Sequence, residues 1–248
     1  MNLLLFLAVV PVCLLLLYVY KKDVNKEPRK LLIKIFIGGG IIFIPIVILE
    51  VIFAFFFDIY DNSNYIILFF TTFFGIGLIE EFFKWLVVYK IAFNNKEFDE
   101  VYDAIVYAVF SSLGFAFVEN ILYILSSAMG MSGISGLGTA ILRAFTAIPI
   151  HTCDGIVMGY YLGLAKKNII RNKPDDYLFF SLLIPVILHT IYDFLLLAGT
   201  KLSLYIWFVG CIGFIIGCAM LVRKVAKRNE KLYSEKRVII NPFFNIDK

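Results

Sequence analysis

Seven apolar stretches, each long enough to cross a lipid bilayer, leave this chain little choice of architecture. They run Leu3 to Tyr20, Leu31 to Phe57, Tyr65 to Ile91, Val101 to Ser126, Leu137 to Leu164, Tyr177 to Ala198 and Leu202 to Val222. A helix needs about 20 such residues to span the hydrocarbon. Lipid offers no partner to an unpaired amide, so the stretches are expected as transmembrane helices in one all-α bundle. With 61% hydrophobic residues and a mean hydropathy of +0.88, the composition lies outside the range of soluble domains. No repeat or soluble segment interrupts the series. The expected organisation is a single transmembrane domain over residues 1–248, with a core at 65–199 and a basic tail at 223–248.

Charge between the stretches sets an expected orientation. Nineteen of the 23 Lys and Arg follow the first, third, fifth and seventh stretches. The alternate connections, Asp58 to Asn64, Ser127 to Gly136 and Gly199 to Lys201, hold Lys201 alone. The positive-inside rule then places the N-terminus outside and the C-terminus in the cytoplasm. The net charge of +4 is spread over these loops and reads as a topology signal and lipid contact, with no nucleic-acid partner implied. The first stretch has no basic residue ahead of it and no small-residue cleavage site, so it reads as a retained helix. Cys13, Cys153, Cys211 and Cys218 all lie inside apolar stretches and are expected as small buried hydrophobes.

Against this background the charges inside the stretches stand out. Glu80, Glu81 and Lys84 fall within five residues of the third, in Gly75-Ile-Gly-Leu-Ile-Glu-Glu-Phe-Phe-Lys84. Each charge at a membrane midplane costs roughly 2.5–3.5 kcal/mol on insertion scales, so intramembrane ionisable residues are functional candidates by default. On a helix Lys84 shares a face with Glu80, four residues back, and is expected to neutralise it. Glu81 points about 100° away and is left for another partner. The plainer reading is a structural Glu80–Lys84 ion pair, but that leaves Glu81 unexplained.

Further polar groups recur along the chain. The fourth stretch carries Asp103, read as a helix-start residue, and Glu119-Asn120; the fifth carries Pro149, His151 and Asp154, then Gly155, Gly159 and Gly163 at a spacing suited to close helix packing. The sixth has Pro185, His189 and Asp193, the last two on one face, where the carboxylate can fix the imidazole tautomer. Glu50 of the second stretch, which also holds Gly38-Gly-Gly40 and Pro45, reads as a snorkelling or water-facing carboxylate. At 1.5 Å per residue, Glu119 and Asp193 lie about 10 Å below the outer surface, His189 about 15 Å, His151 about 20 Å, and Glu80 with Glu81 about 22–24 Å. Carboxylates and imidazoles from four helices therefore converge on a chamber between the outer third and the midplane.

Peptide hydrolysis needs a base for water, a donor for the oxyanion and an acid for the leaving amine. Glu80 or Glu81 can serve as base; His189, His151 and Asn120 are candidates to polarise the carbonyl or return the proton. Other proteolytic chemistries find less support. Gly133-Ile-Ser-Gly136 fits a short serine-protease pattern but sits in an outer loop, no His-Glu-x-x-His is present, and Tyr192-Asp193 lacks a Gly-x-Gly-Asp partner. Zinc held by His151, His189 and a glutamate is compatible in composition. Outside proteolysis, the same groups would suit a small transporter or proton pathway, although the repeats typical of transporters are missing, or a non-catalytic peptide-binding protein.

Glu80-Glu81-x-x-Lys84, Phe115-x-x-x-Glu119-Asn120 and His189-x-x-x-Asp193, in that order on three helices, resemble the motifs of the PrsW family of intramembrane proteases. These are distant relatives of the CAAX prenyl endopeptidases and of bacterial self-immunity proteins. The similarity extends from about Phe74 to Phe194, including the Tyr-Asp-Ala-Ile-Val-Tyr line of the fourth stretch and His151. The resemblance implies a glutamate-dependent, metal-independent endopeptidase of the bacterial cytoplasmic membrane that makes the first cut in a single-pass anti-sigma factor. Carried over by motif, the catalytic glutamates fall on Glu80 and Glu81 and the histidine on His189, with Glu119 and His151 completing the site. Lys84, Asn120, Asp154 and Asp193 would support it. Glu119 stands where prenyl endopeptidases have a histidine, which argues against prenylated substrates.

Overall fold

The computed structural model describes residues 2–57, 63–131, 133–170 and 176–240. Residues 58–62 of one expected outer connection, Arg171 and Lys173 of a basic loop, and 241–248 of the basic tail lie outside the described residues. Among the described residues there is no strand, and seven helical segments are long and apolar enough to span a membrane.

The first span is α1 (Asn2–Lys22). The second is two helices, α2 (Arg29–Ile41) and α3 (Phe43–Phe56), and the break follows from Pro45, which has no N–H to give the Ile41 carbonyl. The glycines before it do more than loosen the helix. A Cβ on Gly39 would lie 2.2 Å from the Ser111 carbonyl oxygen, and one on Gly114 2.1 Å from that of Phe36, so the two backbones meet where no larger residue fits.

The third span comprises α4 (Tyr65–Thr72), a π-helical turn (Phe73–Gly77) and α5 (Leu78–Ile91). Asn64 caps its start, accepting from the amides of Ile66 and Ile67. The fourth span, α6 (Val101–Ala128), is the axis of the molecule: Tyr102 to Val109 and Ser111 to Ala116 are buried without interruption, as expected of a helix apolar all round. Asp103 acts at its start as expected, its Oδ2 accepting from the amides of Asp99 and Glu100 at 3.1 and 2.7 Å.

The fifth stretch, expected as one helix, is α7 (Gly136–Phe145) followed by α8 (Ala147–Ile170). Pro149 withholds a donor from the Phe145 carbonyl, and the chain turns at Thr146 (φ −123°, ψ −76°). Ser135, the serine of the Gly-x-Ser-Gly pattern, caps α7 by accepting from the Gly138 amide. The small-residue ridge of α8 packs on α6: Cβ atoms on Gly155, Gly159 and Gly163 would come within 3.0 Å of Ala108, 2.4 Å of Ala104 and 2.8 Å of Val101.

The bundle closes with α9 (Tyr177–Leu197) and α10 (Lys201–Ile240), which continues well past the expected end at Val222. Trp207, Cys211, Cys218 and Val222 of α10 are buried, but Gly213 and Gly217 have nothing within 4 Å of a Cβ and pack on nothing. Cys13, expected inside, is exposed on the outer surface of α1; the other three cysteines are buried and unpaired.

Candidate active site

Glu80 and Glu81 open α5 directly after the π-helical turn, a local distortion often found at functional sites. Both are buried, as is Lys84 one turn on. The Lys84 ammonium donates to Glu80 Oε2 at 2.8 Å and to Glu81 Oε1 at 2.7 Å, and lies 3.1 Å from His151 Nδ1. It therefore bridges both carboxylates instead of pairing with Glu80 alone, because residues three and four apart are both neighbours on a helix surface. Glu81 still has the second partner expected for it: its Oε1 is 2.9 Å from His189 Nδ1. Its other oxygen is buried with no hydrogen-bond partner among the described residues.

His189 is held by carboxylates on every side. Its Nε2 lies 3.1 Å from Asp193 and 3.7 Å from Glu80, and its Nδ1 3.3 Å from Asp154. The α5 and α9 helices come close enough for this only because position 77 is glycine: a Cβ there would lie 2.4 Å from Thr190 Oγ1. His151 of α8 holds its ring 5.2 Å from that of His189, tilted by 52°, and places Nε2 3.0 Å from Glu119 Oε2.

Two groups change the picture drawn from sequence. Arg143, carried in by α7, donates to Glu119 Oε2 at 2.6 Å and to Asn120 Oδ1 at 3.0 Å. The signal for it was available, since it too is an ionisable residue inside an apolar stretch. Asn120 has its amide on the Ala8 carbonyl at 3.4 Å and stands behind Arg143, away from the cavity, so it holds the arginine and does not face a substrate. Arg143, Glu80, Glu119, His151, His189 and Asp193 all line one cavity of about 530 Å³, together with Glu50 of α3. Five carboxylates, Glu80, Glu81, Glu119, Asp154 and Asp193, share this site with the two permanent cations Lys84 and Arg143, an excess that His189, in reach of four of them, is placed to offset.

The chain as a whole has known relatives. The model of the PrsW family of intramembrane metalloproteases matches residues 27–223, most of the chain and well beyond the region from Phe74 to Phe194 that carries the motifs. The chain belongs to the PrsW family. It is 39% identical over 196 residues to Protease PrsW of Oceanobacillus iheyensis, covering 79% of this chain and 84% of that protein. Protease PrsW of Geobacillus kaustophilus is 36% identical over 198 residues (79% and 81%), and that of Bacillus subtilis 32% over 202 (81% and 84%). No solved structure matches the chain. The PrsW assignment makes this a multi-pass membrane protease acting on protein within the membrane, with bacterial relatives.

The family's description as metalloproteases asks whether this site suits a metal. Glu80, Glu81, His151 and His189 each offer a ligand atom within 4.8 Å of the others, and the orphaned Glu81 oxygen is a further acceptor. Two imidazoles and two carboxylates are a donor set zinc takes, so the residues fit. The Lys84 ammonium is held among three of the same side chains, so a metal and the ammonium compete for one place.

Proposed function

We propose that this PrsW-family chain is a glutamate-dependent endopeptidase of the bacterial cytoplasmic membrane. Its substrate would be a single-pass anti-sigma factor, cut first here so that later steps free the sigma factor during envelope stress. The observation that carries the chemistry is the Glu80–Glu81–His189 cluster, secured by Lys84 and facing a polar cavity inside the bundle. The substrate class rests on the family resemblance.

Glu80 lines the cavity while Glu81 is fully enclosed, which favours Glu80 as the group that takes a proton from water. Glu81 then positions His189 and Lys84. His189, oriented by Asp193 and Asp154, carries the proton to the leaving amine. Arg143 presents N–H groups to the same cavity and is placed to hold the developing oxyanion, while His151, between Lys84 and Glu119, keeps those two groups in position. A zinc ion, held by Glu80, Glu81, His151 and His189, would supply Lewis-acid polarisation of the carbonyl or water. In the present reading Lys84 provides the positive charge instead. With the N-terminus outside and the C-terminus in the cytoplasm, the cavity lies in the outer half of the membrane, where a segment just outside a substrate's span can enter.

The test is cleavage by the purified chain of membrane-anchored anti-sigma factors from the same genome, with products read by mass spectrometry. Cleavage lost in Glu80→Gln and His189→Ala and kept under chelation supports the reading. Loss on chelation with recovery on added zinc overturns its metal-free part. Cleavage of other single-pass proteins but of no anti-sigma factor overturns the substrate.

A further inference from the structure

A second cluster of buried carboxylates lies far from the chamber. Asp103 and Glu119 are both on α6, sixteen residues apart, or about 24 Å along the axis. At the Asp103 end, the connector from α1 to α2 folds Asp23 and Glu27 against the start of α6. The three side chains are 4%, 3% and 0% exposed for Asp23, Glu27 and Asp103, and one oxygen from each lies within 4.8 Å of the others.

Three carboxylates enclosed this closely repel one another unless a cation or added protons sit among them. No cation is supplied by a side chain: no Lys or Arg forms an ion pair with the three among the described residues. Lys26, in the same connector, turns its ammonium to the backbone carbonyls of Tyr20, Lys21 and Asp23. The donors that do reach the cluster are neutral. Tyr107 gives its hydroxyl to Glu27, and the Asp99 and Glu100 amides bond Asp103 Oδ2. Asp23 Oδ2 and Asp103 Oδ1 remain buried with no hydrogen-bond partner, so the cluster holds free acceptor oxygens.

We propose that Asp23, Glu27 and Asp103 bind a hard divalent cation, magnesium or calcium, which fastens the α1–α2 connector to the head of α6. The ligand atoms are all oxygen, the set these ions take, with neither the imidazole nor the thiolate that would select zinc. The bound ion joins the first two spans to the fourth at the end remote from the cavity, which α3 of the second span helps to wall. It is a structural ion, separate from whatever cation the chamber holds.

The test uses the full chain in detergent, stripped with chelator and then titrated with magnesium or calcium, with melting temperature and bound metal measured. One ion per chain and a rise of several degrees in Tm are expected, because a ligand that binds only the folded state stabilises it by mass action. Terbium, a calcium substitute, should luminesce through Tyr107 and be displaced by calcium. These responses should be lost in Asp103→Asn and in the milder connector variant Asp23→Asn, and kept in Glu81→Gln. No bound ion and no Tm rise in the unmodified chain overturns the proposal, leaving protons shared among the carboxylates as the source of neutrality. A response lost in Glu81→Gln but kept in Asp23→Asn also overturns it, by assigning the ion to the chamber.

Discussion

Lys84 is fully buried and bonded to two carboxylates of its own helix, so it is the residue whose removal leaves most unbalanced charge. Lys84→Met should destabilise the protein by about 3–5 kcal/mol, the usual cost of stripping one partner from a buried ion pair. Thermal unfolding in detergent measures it. Adding Glu80→Gln to that variant should recover part of the loss, since one of the two stranded charges is then gone. Activity should respond differently. Glu80→Gln alone is expected to lower cleavage by at least about 100-fold, the contribution of a positioned base, while the protein still elutes as a folded monodisperse peak. Arg143→Ala should lower kcat with little change in KM if its guanidinium acts on the oxyanion, because the interaction then exists only in the transition state. Glu80, Glu81 and Lys84 were conspicuous in the sequence because charge is costly in lipid. Their sharing of one ammonium was not, because helix spacing permits both the i+3 and the i+4 pair and only the surrounding side chains select the lysine rotamer.

At the level of helices, the glycines divide into those that bring backbones together and those that do not. Gly159→Leu should prevent accumulation of folded protein, as its Cβ alone would stand 2.4 Å from the Ala104 carbonyl of the buried α6. Gly213→Ala should leave the melting temperature unchanged or raise it slightly, because nothing lies within 4 Å and alanine is the better helix former. Both outcomes can be read from expression and a thermal melt of the two variants. The spacing of Gly155, Gly159 and Gly163 was enough to expect a packing ridge. The same reasoning extended to Gly213 and Gly217 does not hold, since a small-residue face signals contact only when another helix lies against it. The breaks at Ile42 and Thr146 illustrate the same division. Pro45 and Pro149 mark where a backbone bond is lost, but how far the chain turns there depends on what each half packs against.

For the molecule as a whole, orientation is the property that charge distribution predicts. Reporter fusions should show a C-terminal fusion after Ile240 active in the cytoplasm, and one in the connection between α9 and α10, residues 198–200, active outside. The opposite pattern would place the cavity in the inner leaflet and redirect the search for substrates. The cavity itself is a property of the assembly. Its polar groups come from α3, α5, α6, α7, α8 and α9, and no one segment contains enough of them to describe it.

Span number, helical class and the identity of most charged groups followed from the chain alone, because bilayer thickness and the cost of bare amides and charges in lipid act on each segment separately. Which of those groups share a proton or a cation was decided by packing. Arg143 reaches Glu119 only because α7 breaks from α8, Asn120 turns from the cavity to Ala8, and His189 meets Glu81 because Gly77 lets two helices approach. Asp23 and Glu27, unremarkable in a polar connector, become a buried cluster only when that connector folds onto α6. Pairings across segments depend on distances of a few tenths of an ångström between different helices, and those are set by the packed bundle as a whole.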